Sequence, residues 1–254
     1  MRPGYAAHAM NQQPFRSVNP DGPVPIIFTC DHASNRVPAE VTLGVADADL
    51  QRHIAWDIGA AAITEILARR FDAPGWLSTV SRLVIDSNRT FDDPSLTPEV
   101  SDDTAIPANR GIGAAEKRRR WDSYHQPYHA EISAAIERKL AAGQRPLIVA
   151  VHSMTHTMRG IFRPWQIAMC SHTERGLNDR VLAALRRVDG ITVGDNEPYN
   201  LDPAEDYSVP HHAFPRGLPH LQVEFRQDEI ADAAGQARWA TIFGDAIESA
   251  LTTS

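Results

Sequence analysis

Short, unbroken apolar runs alternate along this chain with longer segments in which apolar residues recur every three or four positions. Val24 to Cys30 (VPIIFTC) is a β-branched run of the kind that fills a strand buried on both faces, and it ends at Asp31-His32. Asp47 to Phe71 carries Leu50, Ile54, Ile58, Ile63, Ile66 and Leu67, the stripe of an amphipathic helix. Trp76 to Ile85 returns to strand character. Pro146 to Val151 (PLIVAV) is the clearest buried strand and runs straight into His152. Ile167 to Cys170, Ile191 to Val193 and His220 to Phe225 read as further strands. Ala114 to Ala142, with a break at Pro127, Thr173 to Val188 and Ala233 to Leu251 read as helices.

Strands alternating with helices predict an α/β fold, a mostly parallel or mixed sheet with helices on both faces. It forms a single domain over residues 23–254. Residues 1–22, polar with scattered Pro, Gly and Asn, read as a loosely ordered leader. Ser87 to Gly113, rich in Asp, Pro, Thr and Asn, reads as a long functional loop. There is no internal repeat.

Composition narrows the function. With 254 residues, 43% of them hydrophobic, the chain can bury one full core without disulfides, so Cys30 and Cys170 are expected as free buried thiols in a reducing compartment. A net charge of −7 repels phosphate backbones, which makes nucleic acid a poor partner; the basic run Lys117 to Arg120 reads as a solvated helix face. No apolar run approaches the roughly 20 residues of a membrane span, and the N-terminus lacks the basic-then-apolar pattern of an export signal. A cytoplasmic location is the expectation. Only two lysines occur, both in charged helical runs, which argues against Schiff-base chemistry.

The polar residues fall where an α/β sheet binds ligands, beyond the carboxyl ends of its strands. One run delivers Asp31-His32, the next Asp86-Ser87-Asn88-Arg89, a third His152-Ser153, and the last Glu224 with Arg226. Grouping such residues at one buried edge is costly unless they pair with each other or with a metal. His32 and His152 are the foremost metal-ligand candidates, because imidazole is a common zinc ligand. Asp57, set among apolar residues, is preferred as third ligand over Asn35, whose carboxamide oxygen binds zinc weakly. Glu224 has the character of a general base or acid. Arg82, Asn88 and Arg89 suit a substrate carboxylate or a developing oxyanion, and Arg226 and His212 join them as substrate-binding candidates. His156, His172 and His211 are supporting histidines or coincidences.

Taken together, these residues resemble the N-formylglutamate amidohydrolase family. The matching segments are Cys30-Asp31-His32-Ala33-Ser34-Asn35, Trp56-Asp57-Ile58-Gly59-Ala60, Ser81-Arg82, Asp86-Ser87-Asn88-Arg89, His152-Ser153-Met154, Gly194-Asp195-Asn196-Glu197-Pro198-Tyr199 and Val223-Glu224-Phe225-Arg226-Gln227-Asp228. That family is similar in turn to zinc carboxypeptidases and aspartoacylase-like hydrolases, which implies a zinc-carboxypeptidase-like fold. The likeness implies Zn2+, or another divalent metal, on His32 and His152, with Glu224 activating water. It implies that Asn88-Arg89, aided by Arg82, hold a small acyl amino acid substrate. One position departs: the histidine-x-x-glutamate of those relatives reads His32-x-x-Asn35 here, which is why Asp57 enters as third ligand. Formylglutamate would yield glutamate and formate, a late step in histidine breakdown.

Rival readings remain open at this point. Ser153 as nucleophile lacks the Gly-x-Ser-x-Gly elbow, and Cys30 lies in an apolar strand that raises thiol pKa. A zinc exopeptidase, a cell-wall amidase and a non-catalytic binding protein on the same scaffold are the others.

Overall fold

The computed structural model describes residues 13–252. In chain order the elements are β1 (Phe15–Val18), β2 (Ile26–Cys30), α1 (Asp47–Leu50), α2 (Ala60–Arg70) and β3 (Gly75–Ser78). A small hairpin, β4 (Val100–Ser101) and β5 (Thr104–Ala105), precedes α3 (Ala114–Arg120) and α4 (Gln126–Ala141). Then come β6 (Leu147–Met154), the hairpin β7 (Thr157–Met158) and β8 (Ile161–Phe162), β9 (Ile167–Cys170), α5 (Gly176–Leu185) and β10 (Val193–Asp195). The remainder is α6 (Ser208–His212), β11 (His220–Arg226) and α7 (Ala233–Thr252).

Seven strands form one mixed sheet in the order β1-β3-β2-β6-β11-β9-β10. The four central strands, β3, β2, β6 and β11, run parallel, while β9 turns antiparallel against β11 and β1 closes the other edge antiparallel to β3. Helices α2, α5 and α7 cover one face and α4 and α6 the other. The single-domain α/β expectation holds.

The pleat decides which face receives the chemistry. Leu147, Val149 and Val151 of β6, with Leu221, Val223 and Phe225 of β11, pack under α2, α5 and α7. Their alternates Ile148 and Ala150 pack under α4 and α6, as does Ile27 of β2. Because side chains alternate with a period of two, His152, Glu224 and Asp31 continue that second face at the carboxyl ends of three neighbouring strands. Glu224 and His152 are direct register partners.

Three expectations are corrected. The strand expected over Trp76 to Ile85 ends at Ser78; Val80, Leu83, Val84 and Ile85 are apolar because they fill a third cluster with Val41, Leu43, Leu96 and Ile106. The helix expected from Asp47 to Phe71 is two helices separated by turns, since Ile54 belongs to that third cluster whereas Ile63 and Leu67 belong to the main core. Asp57 therefore sits in a turn and not in a helix. The break expected at Pro127 is absent. A π-helical turn, Trp121–His125, joins α3 to α4 without a gap, and the proline follows directly after this widened turn, where the regular hydrogen-bond ladder is already interrupted.

Residues 1–12 of the expected loose leader lie outside the described residues, but Phe15–Val18 of that segment is a paired edge strand. The long loop after Ser87 is likewise anchored. Asn109, fully buried, donates from Nδ2 to the carbonyls of Leu83 (2.8 Å) and Pro98 (2.9 Å) and accepts from Arg120 Nη1 (2.8 Å) at Oδ1. Asn109→Ala would leave a buried guanidinium and two carbonyls short of a partner. A loss of about 1–3 kcal/mol is expected in urea denaturation; an unchanged midpoint would show that the asparagine does not anchor the loop.

Candidate active site

The site is organised by the turn that carries Asp57. Gly59 adopts φ +84°, and a Cβ there would lie 2.5 Å from the carbonyl oxygen of Ile230, so conformation and space both require glycine. Upstream, the Asp57 N–H donates to the carbonyl of His32 (2.9 Å), which draws the carboxylate under the ends of β2 and β6. Oδ2 of Asp57 then lies 3.3 Å from His32 Nδ1 and 3.0 Å from His152 Nδ1, and accepts the N–H of Ser153 (3.2 Å). The two imidazole centroids are 5.3 Å apart. One ligand atom from each of His32, Asp57 and His152 lies within 4.8 Å of the other two, and all three residues are buried.

Each ring turns its other nitrogen to a further carboxylate. His32 Nε2 is 2.7 Å from Asp86 Oδ1, and His152 Nε2 is 3.4 Å from Asp31 Oδ2 without hydrogen-bond alignment. Asp86 also receives Arg82 Nη2 (2.7 Å) and Nε (3.0 Å) on Oδ2 and the N–H of Asn88 (2.9 Å) on Oδ1. Asp31 accepts the Tyr128 hydroxyl at 2.9 Å. Burial pushes all three carboxyls toward the neutral form, but the adjoining cations prevail. Asp31 is held down to about 2 by His152 foremost, Asp86 well below the carboxylate range by Arg82 and His32, and Asp57 below it by the two histidines. His152 is raised well above its ordinary value, against the pull of burial, by Asp31 and Asp57.

Those charges give a test of whether a metal fits. Three buried carboxylates face one guanidinium, Arg82, which leaves two negative charges to be met by imidazolium ions or by one divalent cation. The donor set of two imidazoles and a carboxylate is one that zinc accepts. The carboxylates behind the rings are the partners that orient metal-binding histidines in general. The residues present fit a divalent metal, and Asn35 is not among them: its Nδ2 donates to the carbonyl of Leu50.

Beside this group opens a cavity of about 220 Å³, walled by Glu224, Arg82, Arg89, Arg163, Tyr199 and Asp206 among others. Glu224 is 8% exposed, and its Oε2 is buried without a hydrogen-bond partner. Burial pushes its carboxyl up to about 7, with the Asp57 carboxylate adding to the rise and His152, His32 and Arg82 opposing it. Asn88 is locked in place: Nδ2 donates to Asp206 (2.8 Å), and Oδ1 accepts the N–H groups of Tyr207 and Ser208 (both 2.9 Å). Arg89 donates to Ser95 Oγ (3.0 Å) and lies 3.4 Å from Asp206, with part of its donor fork left for the cavity.

Two substrate-binding expectations are corrected. Arg226 does not line the cavity; Asp228 and Glu229 take its charge, and its Nη1 ties down the carbonyls of Arg163 and Pro164 (both 3.1 Å). His212 is fully buried behind the site. Its Nε2 meets His129 Nδ1 (3.0 Å), and His129 Nε2 must donate to the carbonyl of Ser87 (2.7 Å), so the Asp86–Arg89 segment rests on neutral histidines from α4 and α6. His125 Nε2 likewise donates to the carbonyl of Arg89 (3.1 Å). Ser153 is no free nucleophile, for Oγ donates to the carbonyl of Ile58 (2.9 Å) and accepts from Gln227. Burial, with Asp57 and Asp31, pushes the Cys30 thiol well above its ordinary value. Sequence reasoning assigned no role to Asp31, Asp86 or Tyr199 and overlooked Arg163 and Asp206. The two aspartates could have been found from their places beside His32 and Asn88; the others stand in segments without periodicity.

The model of a family described as N-formylglutamate amidohydrolase matches residues 24–231. Among solved structures, a gene product from Agrobacterium tumefaciens is 31% identical, with a TM-score of 0.92 over 96% of both chains. N-formylglutamate amidohydrolase from Ralstonia eutropha is 24% identical with a TM-score of 0.68, covering 94% of this chain and 97% of that one, and this likeness shows the fold. No curated protein matches.

The buried histidines behind the site carry a pH signature. Burial above all leaves His125 down at about 3, against the opposing pull of the Arg89 carbonyl and the Asp86 charge, and burial with adjacent imidazoles holds His129 and His212 well below their ordinary value. An unfolded histidine protonates near about 6.5, so between there and about 3 the unfolded chain binds more protons and stability falls as pH falls, by up to about 1.4 kcal/mol per pH unit for each histidine. Glu224, raised in the fold, offsets one such group above its unfolded value. Denaturation midpoints from pH 6.5 to 5 should therefore drop in the wild type and drop less steeply in His129→Gln; equal slopes would mean His129 is not held neutral.

Proposed function

The chain belongs to the N-formylglutamate amidohydrolase family, a family of amide hydrolases, and we propose that it cleaves an N-acyl amino acid, N-formylglutamate first, with a zinc ion held by His32, Asp57 and His152. The observation that carries the metal is the convergence of two imidazole nitrogens from separate strands on one buried carboxylate oxygen, each ring backed by a second carboxylate. Bound there, a divalent cation supplies Lewis acidity, lowering the pKa of water and polarising the scissile carbonyl.

The remaining steps fall to the chain's own groups. Glu224, in a desolvated setting that places its pKa near neutrality, accepts a proton from the attacking water. It then delivers that proton to the amide nitrogen as the C–N bond breaks, so formic acid and the free amine leave, the acid's own proton passing to the amine to give formate and ammonium, and the carboxylate is restored. Arg82 is fixed by Asp86 and Asp57, and Arg89 by Ser95, so both present directed N–H groups to the oxyanion without reorganising. Asn88 and Arg89 stand where a substrate carboxylate can be gripped. A cavity of about 220 Å³ falls below the roughly 300–1,000 Å³ of pockets for drug-sized ligands, which supports a small acyl amino acid over a peptide or glycan. In this reading the reaction is a late, cytoplasmic step of histidine breakdown.

The test is formate release from N-formyl-L-glutamate, run beside elemental analysis of the same protein. Glu224→Gln is expected to keep its metal and lose kcat by about 10²–10⁴-fold. His152→Ala is expected to lose both metal and turnover. Full turnover after exhaustive chelation would refute the metal, and metal loss in Glu224→Gln would make Glu224 a ligand.

A further inference from the structure

Three arginines reach the cavity, and their partners differ. Arg82 is answered by Asp86 and Asp57, and Arg89 by Asp206. Arg163 is 8% exposed and has no carboxylate within ion-pair distance among the described residues. Its guanidinium has two neutral acceptors only: Nη2 donates to the Tyr199 hydroxyl (2.8 Å) and Nη1 to the carbonyl of Thr155 (3.5 Å). The guanidinium carbon also lies 4.9 Å from the centre of the Tyr199 ring, a contact that eases the charge without neutralising it.

The backbone beneath is rigid. The Arg163 N–H donates to the carbonyl of His156 (2.8 Å), and the Arg163 carbonyl is gripped by Arg226, itself fixed by Asp228 and Glu229. Taking a charge out of water without a counter-ion is unfavourable. A fold that nonetheless fixes one in a cavity wall is built for an anion that arrives with the ligand, and the planar fork suits a carboxylate.

Resting on the amidohydrolase reading above, we propose that Arg163 is a specificity-determining residue: it receives the side-chain carboxylate of the acyl amino acid, so the site selects acidic substrates over neutral isosteres. Tyr199 positions the guanidinium. The α-carboxylate is left to Asn88 and Arg89, and the two carboxylates of one small substrate are thus divided between Arg163 and Arg89, which both line the cavity.

The experiment compares N-formyl-L-glutamate with N-formyl-L-glutamine, which has the same shape and no side-chain charge. Wild-type kcat/KM should favour the glutamate by about 100-fold, and Arg163→Met should reduce that ratio to below about tenfold, mainly through KM for the glutamate. Arg163→Lys, which keeps a cation but not the fork, should fall between. Because the charge it removes is unpaired, Arg163→Met should not lower Tm, and a merely structural arginine would not alter the ratio of two substrates. An equal fall for both substrates overturns the proposal. Calorimetric binding of glutarate, a dicarboxylate with no amide to cleave, separates this claim from the hydrolase reading. Loss of glutarate binding in Arg163→Met supports the proposal even where neither amide is cut, and equal binding by the two proteins rejects it.

Discussion

One carboxylate oxygen, Oδ2 of Asp57, holds the site together. It stands between the Nδ1 atoms of His32 and His152 and caps the N–H of Ser153, so the turn before α2, the end of β2 and the end of β6 meet at a single buried anion. Everything around it answers the electrostatic demand that this creates. Asp86 and Asp31 fix the far sides of the rings, Arg82 shields Asp86 and Asp57, and Tyr128 steadies Asp31. A cluster with this excess of negative charge, kept from solvent, is stable only with cationic partners, whether protons or a divalent ion.

That constraint reaches the cavity. Set beside Asp31, Asp57 and Asp86, whose carboxyls are held down, Glu224 rises, because burial acts on it without a short hydrogen bond or ion pair to offset it. The same strand register that sets Glu224 against His152 therefore separates the carboxylates into those held ionised and one poised to exchange a proton near neutrality. Behind the site, neutral His129 of α4 and His125 of the π-helical turn support the carbonyls of Ser87 and Arg89 and so fix the segment that presents Asn88.

Much of this was legible in the sequence because the central strands are short, apolar and buried on both faces. Their ends could be read from the first ionisable residue, and His32, His152 and Glu224 come together as the pleat requires. Asp57 was legible as a charge among apolar neighbours, though its turn was not, since the stripe around it serves two different hydrophobic clusters. Arg226 misled for the converse reason. It stands at a strand end two residues beyond Glu224, but Asp228 and Glu229 follow closely enough in the chain to take its charge. Arg163 follows a two-residue hairpin strand that no periodicity marks, and its significance lies in a missing counter-ion, which only tertiary structure reveals.

The central claim is that the Asp57 carboxylate gathers both imidazoles around one divalent cation. Anomalous diffraction at the zinc absorption edge, from crystals of catalytically active protein, tests it most directly. The account predicts a single strong peak touching His32, Asp57 and His152. An active crystal with no anomalous scatterer at those three side chains, or with one bound elsewhere, would contradict it.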